Sequence, residues 1–439
     1  MSDETSFHRE VEANFRWNFS VNLVDIALIM FGLNLVSQAT IMPLLVSQLT
    51  SSKIAIGLIP ALYSLGYLLP QLLTASFAER LLYKKPFVML LGGLGERGPF
   101  LLIGLVVWSL AGPAPAVALV VFFLLLAISA ICNGVATPAW FDLIAKVIPV
   151  HKRGLWSGVA NSLGAFLGIA GAALAGRILT DWPFPRNFGL CFILAFVAMV
   201  MSWVGLALNR EPASPTVKPH TGLGHYLKQL PGVLRRDGNY VRFLISRSVA
   251  NLGGMAAGFF MVYAVERFAL GGTEVGTLTG ILVGSQAVMN LLWGVIGDRK
   301  GHKAVLCGTA FSVGLATLTL WAASAPPWLW ITFILLGVSM AGDSVSGMNI
   351  ILEFCAPEDR PTYIGLTNTL LAPAKALAPL FGGWLATWAG YREMFVVALV
   401  VAALGGGLLT LWVREPRHIQ QRSLAAAARS GGCSGRSAR

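Results

Sequence analysis

Twelve apolar segments follow one another along this chain of 439 residues. Each is about 20 residues long, which as a helix spans the hydrocarbon core of a bilayer. The mean hydropathy is +0.70 and charged residues make up 12% of the chain, against about 25% in soluble domains. The sequence therefore predicts an all-α integral membrane protein in contact with the lipid bilayer. The segments lie roughly at Val21–Val46, Ile54–Phe77, Phe87–Trp108, Val117–Trp140, Trp156–Ile178, Asn187–Leu208, Phe243–Tyr263, Val275–Ile296, Ala304–Ala323, Trp328–Leu352, Tyr363–Trp388 and Met394–Val413.

Lysine and arginine residues fall mainly on one side of this pattern. Of the 32, we count 24 in the N-terminus, the C-terminal tail and the connections after even-numbered segments. Five lie in the opposite connections, and three, Arg97, Arg247 and Lys375, lie within apolar segments. Because basic connections stay in the cytoplasm, we expect both termini on the cytoplasmic side of a cytoplasmic (inner) membrane. The net charge of +12 is then a topology signal, and no nucleic-acid partner is expected.

Short motifs recur half a chain apart. An Arg-x4-Gly-x2-Asn motif opens the fifth segment at Arg153 and recurs 207 residues later at Arg360, before the eleventh. An Arg-Glu-Pro motif ends the sixth segment at Arg210 and recurs 204 residues later at Arg414, after the twelfth. Nearly equal offsets indicate a duplicated six-helix unit. The predicted parts are a cytoplasmic N-terminus (1–20), an N-terminal six-helix bundle (21–208), a cytoplasmic central loop (209–241), a C-terminal six-helix bundle (242–415) and a disordered cytoplasmic tail (416–439).

A charge-dense connection follows the eighth segment, with the sequence Gly294-x-x-Gly297-Asp298-Arg299-x-Gly301-x-Lys303. It resembles the loop signature of the major facilitator superfamily, and segments and duplication extend the resemblance over residues 20–416. The resemblance implies twelve transmembrane helices in two pseudo-symmetric six-helix bundles, which transport a solute by alternating access.

The same resemblance implies a gate. In the family, the aspartate of this loop braces the cytoplasmic gate, a role that falls here on Asp298 with Arg299 and Lys303 as basic partners. Simple anchoring of the loop is the alternative for Asp298. The copy after the second segment departs from the pattern, because Glu79-Arg80 replaces Asp-Arg and the glycines are missing. Glu79 and Arg80 are the corresponding gating candidates.

Three charged residues within apolar segments are candidates for ion coupling, because an intramembrane charge is costly unless it is paired or faces water. Asp25 in the first segment could bind a proton or a cationic solute, or could simply favour a helix N-terminus and pair with a base. Asp343 and Lys375 lie at similar depth in the tenth and eleventh segments, so we expect them to pair. The pair is either a static bridge or a switch that opens when a proton or solute competes.

Two further intramembrane bases have structural interpretations. Arg97, beside Glu96 in the middle of the third segment, is expected to brace the N-terminal half against Asp25 or Glu96. Arg247, early in the seventh segment, is expected to extend its side chain to the cytoplasmic interface.

Aromatic and amide side chains at four-residue spacing are candidates for a solute cavity, because such spacing places them on one helix face. A wall of rings with a few amides suits a moderately apolar organic solute. Ordinary packing between helices is the alternative for each residue taken singly. The candidates are Asn34, Gln38, Tyr63, Tyr67, Trp140, Phe259, Tyr263, Gln286, Asn290 and Trp293.

Other chemistry finds little support in the sequence. The five cysteines have no metal or redox spacing, and no nucleotide-binding loop is present, so no metal, cofactor or ATP hydrolysis is expected. The glycine pattern at Gly93 lies inside an apolar segment and indicates helix packing rather than a dinucleotide site. All six histidines fall in predicted cytoplasmic segments, so a membrane-embedded enzyme is not expected.

The sequence therefore predicts a secondary transporter that acts as a monomer and moves a small organic solute with proton coupling. Efflux, uptake and uncoupled exchange all stay open. The arginine and Gly-Pro pair expected of drug exporters in the fourth and fifth segments are absent. A transporter-like membrane sensor that binds solute without moving it is the alternative.

Overall fold

The computed structural model describes residues 2–78, 80–214, 237–355 and 360–417, together with positions 232, 234 and 235. These residues are helical apart from short connections. The predicted central loop and tail lie largely outside them. The α-helices are α1 (Ser2–Leu35), α2 (Ile41–Leu49), α3 (Lys53–Ala78), α4 (Lys85–Met89), α5 (Gly98–Leu110), α6 (Pro115–Val147), α7 (Arg153–Asp181), α8 (Arg186–Ala207), α9 (Gly238–Gly253), α10 (Phe260–Phe268), α11 (Gly272–Lys300), α12 (His302–Ala322), α13 (Trp328–Phe354), α14 (Arg360–Trp388) and α15 (Tyr391–Leu411).

The helices reproduce the predicted transmembrane segments. Within the described residues, 11 helical spans are long and apolar enough to cross a membrane. The remaining segment is α14, which has 29 residues but is diluted by threonines, glycines and Lys375. The fold is thus the predicted twelve-helix arrangement, in which α1–α8 form the N-terminal half and α9–α15 the C-terminal half.

The first segment of each half is interrupted, which the sequence did not predict. The expected single helix over Val21–Val46 is wrong, because α1 ends at Leu35 and α2 starts at Ile41. In the second half, a 3₁₀ stretch over Gly254–Phe259 separates α9 from α10. Both short helices, α2 and α10, have 9 residues. The interruption is therefore a further product of the duplication.

The two halves are joined at the end of the bundle farther from the chain termini. Lys53 Nζ on α3 donates to the Ala386 carbonyl on α14 at 3.1 Å, and Thr180 on α7 lies 3.0 Å from Thr273 on α11. Gly176 on α7 lies against α11 so closely that a Cβ there would stand 2.8 Å from the Gly272 carbonyl. No hydrogen bond or ion pair among the described residues joins the halves at the terminal end.

The hydrophobic cores follow the same division. One cluster at the far end draws residues from both halves, for example Ile41 and Phe260. Nearer the termini the core separates into two. One cluster lies wholly in the N-terminal half around Leu143 and Trp156, and the other wholly in the C-terminal half around Tyr240 and Leu306. The apolar contacts therefore hold the halves together on one side only.

The repeated Arg-Glu-Pro motif fastens helix ends within each half. The buried Glu211 carboxylate accepts hydrogen bonds from the backbone amides of Lys84 and Lys85, at 2.7 and 2.9 Å, where α4 begins. It also accepts from Lys146 Nζ at 2.7 Å. Its counterpart Glu415 lies against Gly301, the residue that precedes α12 and adopts a φ of 89°. A carboxylate at a helix N-terminus also complements the helix dipole.

We predict that Glu211→Gln lowers the free energy of unfolding by about 2 kcal/mol, because a charged acceptor that satisfies two backbone amides and an ammonium is lost. Unfolding in detergent micelles measures this. Glu10→Gln, which removes an exposed carboxylate from α1, is the matched control. Equal effects of the two substitutions would show that Glu211 does not fasten α4.

Candidate functional site

The strongest polar feature inside the N-terminal half is the cluster of Asp25, Glu96 and Arg97. Arg97 is buried, with its Nη2 3.6 Å from Asp25 Oδ1 and its Nη1 3.5 Å from Glu96 Oε2. The predicted bracing of this half by Arg97 against Asp25 and Glu96 is confirmed. Asp25 lies far inside α1, which begins at Ser2, so the alternative of a residue at a helix N-terminus is wrong.

A π-helix over Leu90–Arg97 gives the cluster its geometry. Its wider turn lets Arg97 Nη1 donate to the carbonyl of Gly92, five residues earlier, at 2.6 Å. Arg97 also donates to the Met199 carbonyl and the Ser202 hydroxyl on α8, at 3.1 and 3.2 Å. Short π-helical turns often occur at functional sites. Here the turn directs Glu96 and Arg97 together into the half.

The two carboxylates have different surroundings. Asp25 is 2% exposed and accepts from Ser202 Oγ at 2.5 Å. The Glu96 side chain is 14% exposed and accepts from Asn133 Nδ2 on α6 at 2.6 Å. With two carboxylates and one guanidinium, the cluster carries one negative charge unless it holds a proton. Glu96 is the more accessible of the two carboxylates.

A cavity of about 240 Å³ opens beside this cluster. It is bounded by α1, α3, the π-helix, α6 and α8, so it lies wholly within the N-terminal half. The Tyr63 and Tyr67 rings stack along one wall, with centroids 6.0 Å apart and planes 10° apart. Its lining includes the predicted Asp25, Tyr63, Tyr67 and Trp140, together with Glu96, Arg97, Asn133 and Thr137. The lining of the cavity thus combines the stacked rings of Tyr63 and Tyr67 with the carboxylates of Asp25 and Glu96.

Asn133 and Thr137 were missed as cavity residues, and Glu96 was predicted only as a structural partner. Asn133 and Thr137 lie four apart on α6, the spacing that identified Tyr63 and Tyr67, so their pattern was available in the sequence. Glu96 had no such signal, because its direction depends on the π-helix.

The other predicted cavity residues lie elsewhere. Phe259 and Tyr263 are buried against Tyr391, with ring centroids 6.4 and 5.5 Å away, in the core at the far end. Trp293 donates to the Val338 carbonyl at 2.9 Å and packs between α11 and α13.

The four predicted amides, Asn34, Gln38, Gln286 and Asn290, are not part of the lining of this cavity either. Asn34 donates to the Met30 carbonyl at 2.8 Å, beside Gly168. Gln38 is half-buried in the break after α1, and Gln286 and Asn290 are half-buried on α11.

The predicted pair of Asp343 and Lys375 is wrong. Asp343 Oδ1 on α13 instead accepts from Arg247 Nη2 on α9 at 2.6 Å. Arg247 is 4% exposed, so it does not extend to the interface as expected. Lys375 on α14 is half-buried and makes no hydrogen bond or ion pair with the described residues. In the interior of the C-terminal half, two bases, Arg247 and Lys375, thus accompany the one carboxylate of Asp343.

The gating candidates lie at the terminal end of the C-terminal half. The Asp298 carbonyl accepts from Arg417 at 2.6 Å, and Lys303 Nζ donates to the Thr410 carbonyl at 3.0 Å. Arg299 and Arg80 are exposed, and Glu79 lies outside the described residues. Since the halves are joined at the opposite end, the gating role of these residues stays a prediction.

The helix count, the duplicated halves and the polar cavity define a multi-pass membrane transport protein. A sequence profile described as the Major Facilitator Superfamily matches residues 24–261 and 243–432, nearly the whole chain. The chain belongs to the Major Facilitator Superfamily.

Curated relatives resemble a part of the chain. "Multidrug resistance protein MdtG" of Dickeya zeae is 26% identical over 164 residues, or 36% of this chain and 39% of that protein. The "Multi-drug resistance efflux pump PmrA homolog" of Lactococcus lactis is 24% identical over 162 residues, again 36% of this chain and 39% of that protein. The chain therefore matches about two fifths of the length of these relatives.

Solved structures show the same fold at low identity. The nucleoside transporter NupG has a TM-score of 0.67 and 12% identity, over 90% of this chain and 98% of its own. A bacterial homolog of the human lysosomal transporter Spinster, inward-facing and unoccupied, has a TM-score of 0.66 and 13% identity, over 92% and 96%. The D-xylose-proton symporter has a TM-score of 0.66 and 13% identity, over 91% and 98%.

We predict that Arg97→Met lowers the free energy of unfolding by about 3–5 kcal/mol, because two buried carboxylates lose their cation. Adding Asp25→Asn should restore part of the loss, since one of those carboxylates becomes neutral. Unfolding of both variants in detergent measures the coupling. Arg186→Met, at an exposed arginine of α8, is the control. Strictly additive effects would show that Arg97 and Asp25 do not interact.

A second prediction compares the bases near Asp343. Arg247→Gln should destabilise the protein by about 1–3 kcal/mol, because the Asp343 carboxylate, whose side chain is 39% exposed, loses its ion-pair and hydrogen-bond partner. Lys375→Gln should be close to neutral, since Lys375 makes no hydrogen bond or ion pair with the described residues. The same unfolding assay ranks the two variants. The reverse ranking would mean that Asp343 pairs with Lys375 in the protein.

Proposed function

We propose that this protein is a proton-coupled secondary transporter, in which a small organic solute and a proton meet at the cavity of the N-terminal half. The observation that carries the proposal is the cluster beside the cavity, with two carboxylates for one guanidinium. An uncompensated charge inside the membrane is costly. A proton on Glu96, or a solute against it, removes that cost.

The position of Glu96 suits exchange of the proton. Both carboxylates line the cavity, but the Glu96 side chain is 14% exposed, whereas the Asp25 side chain is 3% exposed and is held by Arg97 and Ser202. Asp25 therefore holds Arg97 in place, and Glu96 gains and loses the proton. Binding of a solute beside Glu96 then changes the affinity of the carboxylate for the proton, which couples the two fluxes.

The lining of the cavity supports an organic solute with an apolar part. Tyr63, Tyr67 and Trp140 offer ring faces, while Asn133 and Thr137 offer hydrogen bonds. The relatives are named for multidrug resistance, and one of them as an efflux pump, which supports export as the direction of transport. The distribution of Lys and Arg supports cytoplasmic termini in the inner membrane. We propose that a monomer is sufficient, because each chain supplies both halves.

The two halves are in contact at the end farther from the chain termini, so transport requires them to rock relative to each other. The described contacts close the far end, so the cavity is accessible from the side of the termini, which on this topology is the cytoplasm. Separation of α3 from α14 and of α7 from α11 would open the opposite side. Asp298, Arg299 and Lys303, with Glu79 and Arg80, are proposed to close the cytoplasmic side at that point.

Flux through proteoliposomes with a pH dye inside tests the proposal. Tetraphenylphosphonium, ethidium, amino acids and nucleosides are the probes. We predict that wild type moves solute with protons, and that Glu96→Gln abolishes proton movement while solute exchange continues. Glu274→Gln, at an exposed carboxylate at the far end of α11, should behave as wild type.

Two results would contradict this function. Proton-coupled flux that persists in Glu96→Gln would place the proton elsewhere. Binding of a probe without flux, by protein that remains folded, would instead support the membrane sensor.

A further inference from the structure

Lys375 in the C-terminal half makes no hydrogen bond or ion pair with the described residues. The neighbouring Asp343 carboxylate is already paired with Arg247 at 2.6 Å. The Asp343 side chain is 39% exposed, and a charged group at this depth is stabilised by such a partner or by water in a cavity. The Asp343 charge also acts on Lys375, but one carboxylate balances only one of the two bases, so this group of three carries one surplus positive charge.

The contacts of α14 place Lys375 next to the N-terminal half. The Pro379 carbonyl lies against Gly57 of α3, and Gly383 lies against Lys53 and Ile54. Lys375 is four residues before Pro379, so it shares the α3-facing side of α14, one turn closer to the chain termini. Its side chain leans further in that direction, because helical side chains point toward the helix N-terminus.

Moving along α3 in the same direction, toward the chain termini, leads to the cavity. Tyr63 is six residues from Gly57, about 9 Å along the helix toward the termini. Lys375 is about 6 Å from Pro379 in the same direction, before the length of its side chain is added. The ammonium group therefore lies at the level of Tyr63, which lines the cavity beside Glu96.

At the level of Tyr63 the two halves thus carry opposite surplus charges. The N-terminal half has one carboxylate in excess, most accessible at Glu96, and the C-terminal half has one ammonium in excess, at Lys375. The two residues belong to different halves, and Glu96 is already held by Asn133 at 2.6 Å. A solute with a single charge would pair with either Glu96 or Lys375 and would leave the other without a counter-charge.

We propose that the solute is a zwitterion with an apolar body, whose ammonium group binds Glu96 and whose carboxylate binds Lys375. This inference rests on the proposed transport through the N-terminal cavity, and it adds the substrate class. The aromatic wall of Tyr63 and Tyr67 takes the apolar body. The solute ammonium and the coupling proton compete for Glu96, while Lys375 binds the solute carboxylate.

Binding to the purified full chain tests the substrate class without requiring flux. The probes are phenylalanine, tryptophan and phenylalanyl-alanine, each beside its C-terminal amide and its N-acetyl derivative. We expect each zwitterion that binds to do so at least about ten-fold more tightly than either derivative, since each derivative leaves one charge of the protein unpaired. Isothermal titration in detergent measures the affinities.

Variants assign each end of the solute. Lys375→Gln should remove the preference for the free acid over the amide, whereas Lys375→Arg should retain it. Glu96→Gln should remove the preference for the free amine over the N-acetyl form. Arg186→Gln, which deletes an exposed positive charge on α8, should change neither preference.

The outcomes separate this inference from the proposed function. Equal affinity for acid and amide, or binding of none of the zwitterions by folded protein, overturns the zwitterion assignment, even if monocations are transported with protons. Zwitterion preference that depends on Lys375, in a protein that shows no flux, overturns transport and leaves the substrate class intact.

Discussion

The high cost of an ionised side chain in hydrocarbon determines how this molecule is assembled. Arg97 meets that cost through two carboxylates, two carbonyls and a hydroxyl, and these contacts fasten α1 and α8 to the π-helix. Arg247 does the same with one carboxylate, which fastens α9 to α13. Each buried arginine thus ties together helices that are distant in sequence, and neither tie crosses between the halves.

The separation of contacts within and between halves is what alternating access needs. Within a half, Arg97, Arg247 and Glu211 bind elements through charged or strongly polar contacts. Between halves, the contacts are the shared apolar core at the far end, small residues in van der Waals contact and a few neutral hydrogen bonds. The Lys53 ammonium also bonds to a carbonyl and lies over the Tyr391 ring. Rocking therefore breaks the weaker set and leaves the stronger set intact.

The sequence predicted the features that depend on the number and spacing of residues. The twelve segments, the duplication and the bracing by Arg97 all follow from hydropathy, repeat offsets and adjacency to Glu96. The partner of Asp343 could not be predicted in this way. Arg247 and Lys375 both lie at a depth in the membrane similar to that of Asp343, and which of them pairs with it depends on how each helix is rotated about its axis. A helix turns about 100° per residue, so a shift of one residue exchanges one neighbouring helix for another.

The interruptions escaped prediction for a related reason. The break between Leu35 and Ile41 contains neither proline nor glycine, and the π-helix over Leu90–Arg97 lies inside a segment that is long and apolar enough to span a membrane as one helix. The π-helix is held by the Arg97 bond to Gly92 and the packing of Trp203 over Gly93, and the break by the Thr279 bond to Thr40. Local sequence carries no record of such contacts.

Comparison of the duplicated halves indicates that the intramembrane charges serve more than assembly. The framework is repeated: the first segment is broken in both halves, and a glutamate lies at the equivalent helix start in both. The charges are not repeated. Asp25 lies ten residues before the end of α1 and Arg247 six before the end of α9, so residues of opposite sign stand one turn apart in the repeat. The inversion leaves the N-terminal cluster with a surplus carboxylate and the C-terminal cluster with a surplus base. This is the charge distribution that the proposed zwitterion requires.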